Sequence, residues 1–164
     1  MDCCWCDPTK YPYVSRDQPV NRLVDEDNFT YVIVPRESHV KHHLLVFLKA
    51  NEGKHKKGLI DCTEQDLIHL GRTIAGWCRI LKEHLGYNTV YSGCYSDAGH
   101  VHFHLLPLKR PEDKPRDGNA MQWLAEKESA SDRNKFDKMT DAQKTVRLEE
   151  ILAVVAELKG AVPG

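Results

Sequence analysis

Charge of one sign is what this chain most conspicuously lacks. Its 23 Lys and Arg against 24 Asp and Glu leave a formal net charge of −1, so no global basic field is available to draw in nucleic acid, and no nucleic-acid partner is expected. Long apolar runs are missing too, and no signal-peptide pattern opens the chain. The expectation is therefore a cytoplasmic protein with no membrane partner. A disulfide framework is also absent. Of the six cysteines, Cys62, Cys78 and Cys94 are scattered while Cys3, Cys4 and Cys6 crowd the start. In a reducing compartment such a cluster reads as metal-binding or redox-active. There are no internal repeats, and 164 residues suit one domain with a proper core.

What the chain does have is His100-Val101-His102-Phe103-His104-Leu105-Leu106, closed by Pro107. The alternation has the period of a β-strand, so the imidazoles should share one face while Val101, Phe103 and Leu105 pack on the other. With nine histidines and 41% hydrophobic residues, chance produces this pattern in roughly one such chain in a thousand. A metal site, a pH-sensitive surface and nucleophilic catalysis all remain open to such a row. Alternate strand positions lie about 7 Å apart, too far for three to converge on one metal without bending. Neighbouring members can still flank one substrate group. A nucleophilic imidazole between two others suits phosphoryl chemistry, with one neighbour holding its tautomer and another stabilising charge on a phosphate oxygen.

The rest of the chain organises around that strand. Residues 1–22 are rich in Pro and Tyr and short on periodicity. Strands are expected at Phe29–Val34, Leu44–Leu48, Asn88–Tyr91 and His100–Leu106. Thr63 should cap a helix whose first turn is acidic, whose stripe is Leu67, Leu70, Ile74, Trp77, Leu81 and Leu85, and which Gly86 stops. That stripe is core or dimer interface. From Lys109 the composition shifts to Pro, Gly and charge, with further helices expected at Ala120–Glu128 and at Asp141–Lys159, the latter capped by Thr140. The division expected is residues 1–110 as the main domain and 111–164 as a helical C-terminal extension packed on it. Arg36, Lys41, His42, His43, Lys49, Lys54, His55, Lys56 and Lys57 crowd one region, either as ordinary solvated cations or as an attractor for an anionic substrate.

His-φ-His-φ-His-φ-φ resembles the signature of the histidine triad (HIT) superfamily at every position. Upstream, Lys41-His42-His43-Leu44-Leu45-Val46-Phe47 is similar to that family's Gly-His-x-Leu-Val-Ile strand. The segment His55–Leu67, with Leu59, Asp61, Thr63 and Asp66-Leu67 inside it, is similar to its His-x-x-x-Leu-x-Asp-Leu-Thr-x-x-Asp-Leu link into a helix. The resemblance covers about Cys3 to Pro107. It implies an α+β, HIT-like fold: an antiparallel β-sheet with a packed long helix, paired as a homodimer. It also implies a nucleotide hydrolase or nucleotidyl transferase acting at the α-phosphate of a nucleoside polyphosphate, a dinucleoside polyphosphate or a phosphoramidate. The reaction would pass through a nucleotidyl-histidine, with His102 as nucleophile and His104 and His43 completing the catalytic set. Ser92, Gly93, Gly99 and His104 are then the expected substrate contacts.

The same resemblance implies a structural zinc held by Cys3, Cys6, His55 and His100, which would pin the strand carrying the nucleophile. The chain departs from the family where nucleoside is gripped. Counting back to the usual ribose aspartate lands on Pro35, leaving Glu37 or Asp27 as substitutes. The stretch before the triad is shortened to Ser96-Asp97-Ala98-Gly99, and the phosphate-touching asparagine is replaced by Tyr91, Ser92 or Gly93. These departures motivate an alternative of another class, a non-catalytic, zinc-stabilised module that binds or senses nucleotides.

Overall fold

The computed structural model describes residues 21–38, 40–49, 55–95, 99–109 and 136–163. Its centre is a five-stranded sheet in the order β1-β2-β3-β5-β4. The strands are β1 (Leu23–Glu26), β2 (Thr30–Ile33), β3 (Leu44–Leu48), β4 (Thr89–Tyr95) and β5 (His102–Leu108). Every neighbouring pair is antiparallel. Helices α1 (Glu64–Glu83) and α2 (Asp141–Ala161) complete the α+β fold.

Both helices start as the sequence says they should. Thr63 accepts from the Asp66 amide at 3.2 Å, and the Asp66 carboxylate accepts from the Thr63 amide at 2.8 Å, so a reciprocal box satisfies two orphan donors. Thr140 and Gln143 repeat the device on α2. At the other end of α1, Gly86 takes φ +71° and the Tyr87 amide donates back to the Leu81 carbonyl at 3.1 Å. This is the left-handed stop that glycine accommodates without a Cβ clash.

Period-2 alternation sorts the sheet into two faces. On one, Val32, Leu44, Val46, Leu48, Val101 and Leu105 pack with Leu70, Trp77 and Leu81 of α1 and with Ile151, Val155 and Leu158 of α2. On the other, Tyr31, Ile33, Leu45 and Phe47 form a second buried cluster. Leu67, placed in the helix stripe by its spacing, is 44% exposed and does not join the core.

Three strands differ from the sequence reading by two residues or more. β1 has no counterpart among the expected strands; its four residues are half charged, and it is held from outside the strand by Trp77 Nε1–H donating to Asp25 at 3.1 Å. β4 runs on to Tyr95, because residues 89–95 all pair with β5. β5 starts two residues late, because the Val101 amide donates to the Lys56 carbonyl at 2.8 Å instead of entering the ladder. The helix expected at Ala120–Glu128 lies outside the described residues.

Leu81 is fully buried at the centre of the larger cluster, so Leu81→Ala should cost about 2–5 kcal/mol in urea unfolding. Thr63→Ala should cost about 1 kcal/mol through the lost cap. A Leu81→Ala loss no larger than that of Thr63→Ala would contradict this placement of the core.

Candidate active site

The site is built by cross-strand register. Phe47 pairs with His102, Leu45 with His104, and Gly93 with His104 from the other side. His43 immediately precedes β3, two positions before Leu45, and so shares their face. His42, one residue earlier, adopts φ +60° and faces the opposite way. All four imidazoles of His43, His100, His102 and His104 are buried.

The ring nitrogens of His43, His104 and His102 form one hydrogen-bonded chain that ends on the His100 carbonyl. His102 Nδ1 lies 2.9 Å from the His100 carbonyl oxygen, which can only accept, so Nδ1 carries the proton. In the neutral ring Nε2 of His102 then holds a lone pair. It is 3.0 Å from Nε2 of His104, which must be the donor. Nδ1 of His104 is in turn left to accept from Nε2 of His43, again at 3.0 Å. One carbonyl thus fixes the tautomers of three rings, and it leaves His102 with its lone pair at Nε2, where it accepts from His104.

The first triad histidine faces elsewhere. His100 Nε2–H donates to the Leu48 carbonyl at 2.9 Å, and its ring meets His55 edge-on with centroids 5.1 Å apart. His55 Nε2–H donates to the Gly99 carbonyl. Burial pushes the His100 imidazole below its ordinary value of 6.5, against the pull of the Leu48 carbonyl. A neutral imidazole whose Nε2–H is held by a carbonyl coordinates metal through Nδ1, so His55 and His100 together suit two corners of a metal site. No group of three or more metal-ligating side chains occurs among the described residues. Cys3 and Cys6, the other two expected ligands, lie outside them.

The expected substrate contacts divide by strand parity. Gly93 is buried opposite His104, on the triad face. Ser92 registers with Leu105 and therefore lies on the helix face of the sheet, away from the imidazoles. Gly99, with φ +65°, turns the chain into His100. The two carboxylates offered as ribose ligands are engaged in structure. Asp27 accepts from the Phe29 and Thr30 amides at 2.7 and 2.6 Å in the β1–β2 turn, and Glu37 accepts from the Phe136 amide at 3.1 Å. The basic cluster is largely neutralised: Lys41 pairs with Glu157, Lys49 with Glu26, Lys56 with Asp66 and Arg36 with Asp137. One contact had no separate signal in the sequence. The ring of Phe47 lies stacked against His102, with centroids 5.1 Å apart and planes 18° from parallel.

Solved structures share this architecture. A HIT-like protein involved in cell-cycle regulation from Bartonella henselae matches over 85% of this chain and 85% of its own, at 16% identity and TM-score 0.54. The Plasmodium falciparum diadenosine triphosphate hydrolase matches over 85% and 77%, at 15% identity and TM-score 0.50. The C. elegans NitFhit protein matches over 83% of this chain, which spans 27% of that longer one, at 20% identity and TM-score 0.51. No protein-family model and no curated protein sequence matches the chain. The likeness establishes the fold: it is the HIT-like α+β fold.

On the helix face, His42 Nδ1 contacts the Tyr87 hydroxyl at 2.7 Å. Its Nε2 sits 3.0 Å from a Glu157 carboxylate oxygen, at ion-pair distance but without hydrogen-bond geometry. Burial holds His42 below its ordinary 6.5, with Glu157 pulling upward and Lys41 and Lys109 downward. The unfolded chain takes up this proton near 6.5, and the folded chain resists it to lower pH. The contribution is therefore present above 6.5 and lost as pH falls below it. Urea unfolding of wild type should weaken between pH 7.5 and 5.5. His42→Asn, which tolerates the positive φ, should weaken less over that interval. An equal slope in both would show that His42 is not the group responsible.

Proposed function

We propose that this chain is a nucleotide hydrolase or nucleotidyl transferase that works through a nucleotidyl-His102 intermediate. The observation that carries the reading is the directed chain from His43 through His104 to His102, which ends on the His100 carbonyl and leaves the Nε2 lone pair on the middle imidazole. As a phosphate oxygen or the leaving group takes over the His104 Nε2–H bond, Nε2 of His102 attacks the α-phosphorus, forming the N–P bond as the bond to the leaving group breaks with its electron pair. The leaving group takes the Nε2 proton of His104, His104 takes the Nε2 proton of His43 at Nδ1, and solvent protonates His43 at Nδ1, so that both rings end neutral. Water or another acceptor then attacks phosphorus, its proton passing to solvent, and the N–P bond electrons return to His102. Gly93 and Gly99 line the approach to phosphate in this reading. Ser92 has no part in it, being on the other face. With Asp27 and Glu37 committed to backbone amides, nucleoside selectivity rests on other groups. A nucleoside polyphosphate, a dinucleoside polyphosphate and a phosphoramidate all fit the chemistry.

The zinc belongs to the same proposal. His55 and His100 would supply two ligands, and Cys3 and Cys6 the other two. When bound, such a metal contributes folding free energy and takes no part in the reaction, since two thiolates and two imidazoles close its coordination. The Val101 amide bond to the Lys56 carbonyl already ties the His55 segment to the start of the triad strand. A cytoplasmic location and residues 111–164 as a helical extension of the same domain complete the reading. Ile151, Val155 and Leu158 in the common core support the second of these.

Incubating the full chain with adenosine and guanosine phosphoramidates and diadenosine triphosphate should give released nucleotide and a transient protein adduct of one nucleotide mass. His102→Ala should abolish both and still bind about one zinc per chain by metal assay, whereas His55→Ala should lose the metal. Turnover by His102→Ala would overturn the nucleophile assignment. Saturable nucleotide binding by wild type with neither adduct nor product would make the chain a sensor. Zinc lost equally from His102→Ala would break the division between His100 and its neighbour.

The homodimer is likewise proposed. Leu59, Ile60, Leu67 and Ile68 are exposed around the start of α1, Ile60 by 96%. Among the described residues β4 is an edge strand, paired on one side with β5. Sedimentation at micromolar concentration should give a dimer for wild type and a monomer for Ile60→Asp/Leu67→Asp. A wild-type monomer would refute the pairing.

A further inference from the structure

We infer that Phe47 is a positioning residue for His102 and that its ring face stabilises the positive charge the imidazole acquires on bonding to phosphorus. The inference rests on the nucleotidyl-His102 reading and adds to it a group that no triad motif contains. Three rings stand side by side on three adjacent strands: Tyr31 on β2, Phe47 on β3 and His102 on β5. Their Cα atoms are direct cross-strand partners. Tyr31 and Phe47 are stacked with centroids 5.1 Å apart and planes 8° from parallel, and Phe47 and His102 at the same separation and 18°. Tyr31 and Phe47 are fully buried and His102 is 4% exposed, so the stack has little freedom to tilt. It fixes the plane of the imidazole, while the His100 carbonyl fixes its rotation within that plane.

The charge on the ring follows from the movement of electrons and protons. Before attack His102 is neutral, with a proton on Nδ1 and a lone pair on Nε2. On attack the lone pair becomes the N–P bond, the leaving group departs with its own electron pair, and the proton from His104 goes to that group. Nδ1 keeps its proton on the His100 carbonyl, so the ring becomes a cation. The His102 ring lies against that carbonyl, His104 and Phe47. The phenyl ring presents its negative face to the imidazole that acquires the charge, and burial strengthens such an interaction.

The test replaces Phe47 with mono-, tri- and pentafluorinated phenylalanine. The series keeps the ring's shape nearly constant while draining the negative charge from its face. The readout is the single-turnover rate of adduct formation with the phosphoramidate and diadenosine triphosphate probes. The rate should fall stepwise, by roughly tenfold over the whole series, with little change in probe affinity or melting temperature. Phe47→Leu should lose at least as much. Equal rates across the fluorinated series, with His102 still carrying the adduct in wild type, would overturn the role of Phe47 and leave the nucleophile assignment standing. An adduct that persists in His102→Ala, or that no probe forms with wild type, would overturn the underlying reading and this role with it.

Discussion

A main-chain carbonyl cannot donate, and the carbonyl of His100 faces Nδ1 of His102. Most of the site's chemistry depends on that restriction. Imidazole has two interchangeable nitrogens, and three buried imidazoles in contact have many possible proton arrangements. One acceptor at the end of the chain selects a single one for neutral rings, because each ring that donates at one nitrogen must accept at the other. The sheet supplies the remaining constraint. β3 and β5 pair so that Leu45 meets His104 and Phe47 meets His102, which puts His43 within reach of His104 across the strand boundary. A slip of β5 by one residue in that register would send His102 and His104 to the helix face and leave His43 behind.

Much of this was legible in the sequence, for identifiable reasons. The triad declares itself because strict alternation of one rare residue type almost never arises by chance. The caps at Thr63 and Thr140 do so because a reciprocal box needs particular residues at particular spacing. Thr63–Asp66 and Thr140–Gln143 both satisfy it. β1 was not legible. Leu23-Val24-Asp25-Glu26 is short and half acidic, and it is secured by pairing with β2, by burial of Val24 and by a bond from Trp77, more than fifty residues away. Leu67 illustrates the opposite error: it keeps the helical period of the stripe, yet it falls in the first turn of α1 and stays 44% exposed.

The site residues divide in the same way. His43, His102 and His104 converge as their pattern implies, and His55 meets His100 across a long loop. Strand parity separates Ser92 from Gly93, and nothing in the sequence fixes the parity of β4 relative to β5 in advance. Asp27 and Glu37 could be proposed for a ribose only because a free carboxylate and one capping a turn look identical in a sequence. Likewise, a crowd of lysines looks like an anion attractor until its carboxylate partners are located on other elements. Here Glu26, Asp66, Asp137 and Glu157 are those partners.

The two carbonyls that flank the N-terminal edge of the triad belong to consecutive residues. The carbonyl of Gly99 receives His55, and that of His100 receives His102. Gly99 stands in the left-handed region, where a side chain would be strained. The rings of His55 and His102 are thus held by consecutive peptide groups of one short stretch of main chain. The bond that holds His55 and the bond that holds the proton on His102 Nδ1 lie one residue apart along the backbone, with no side chain needed between them.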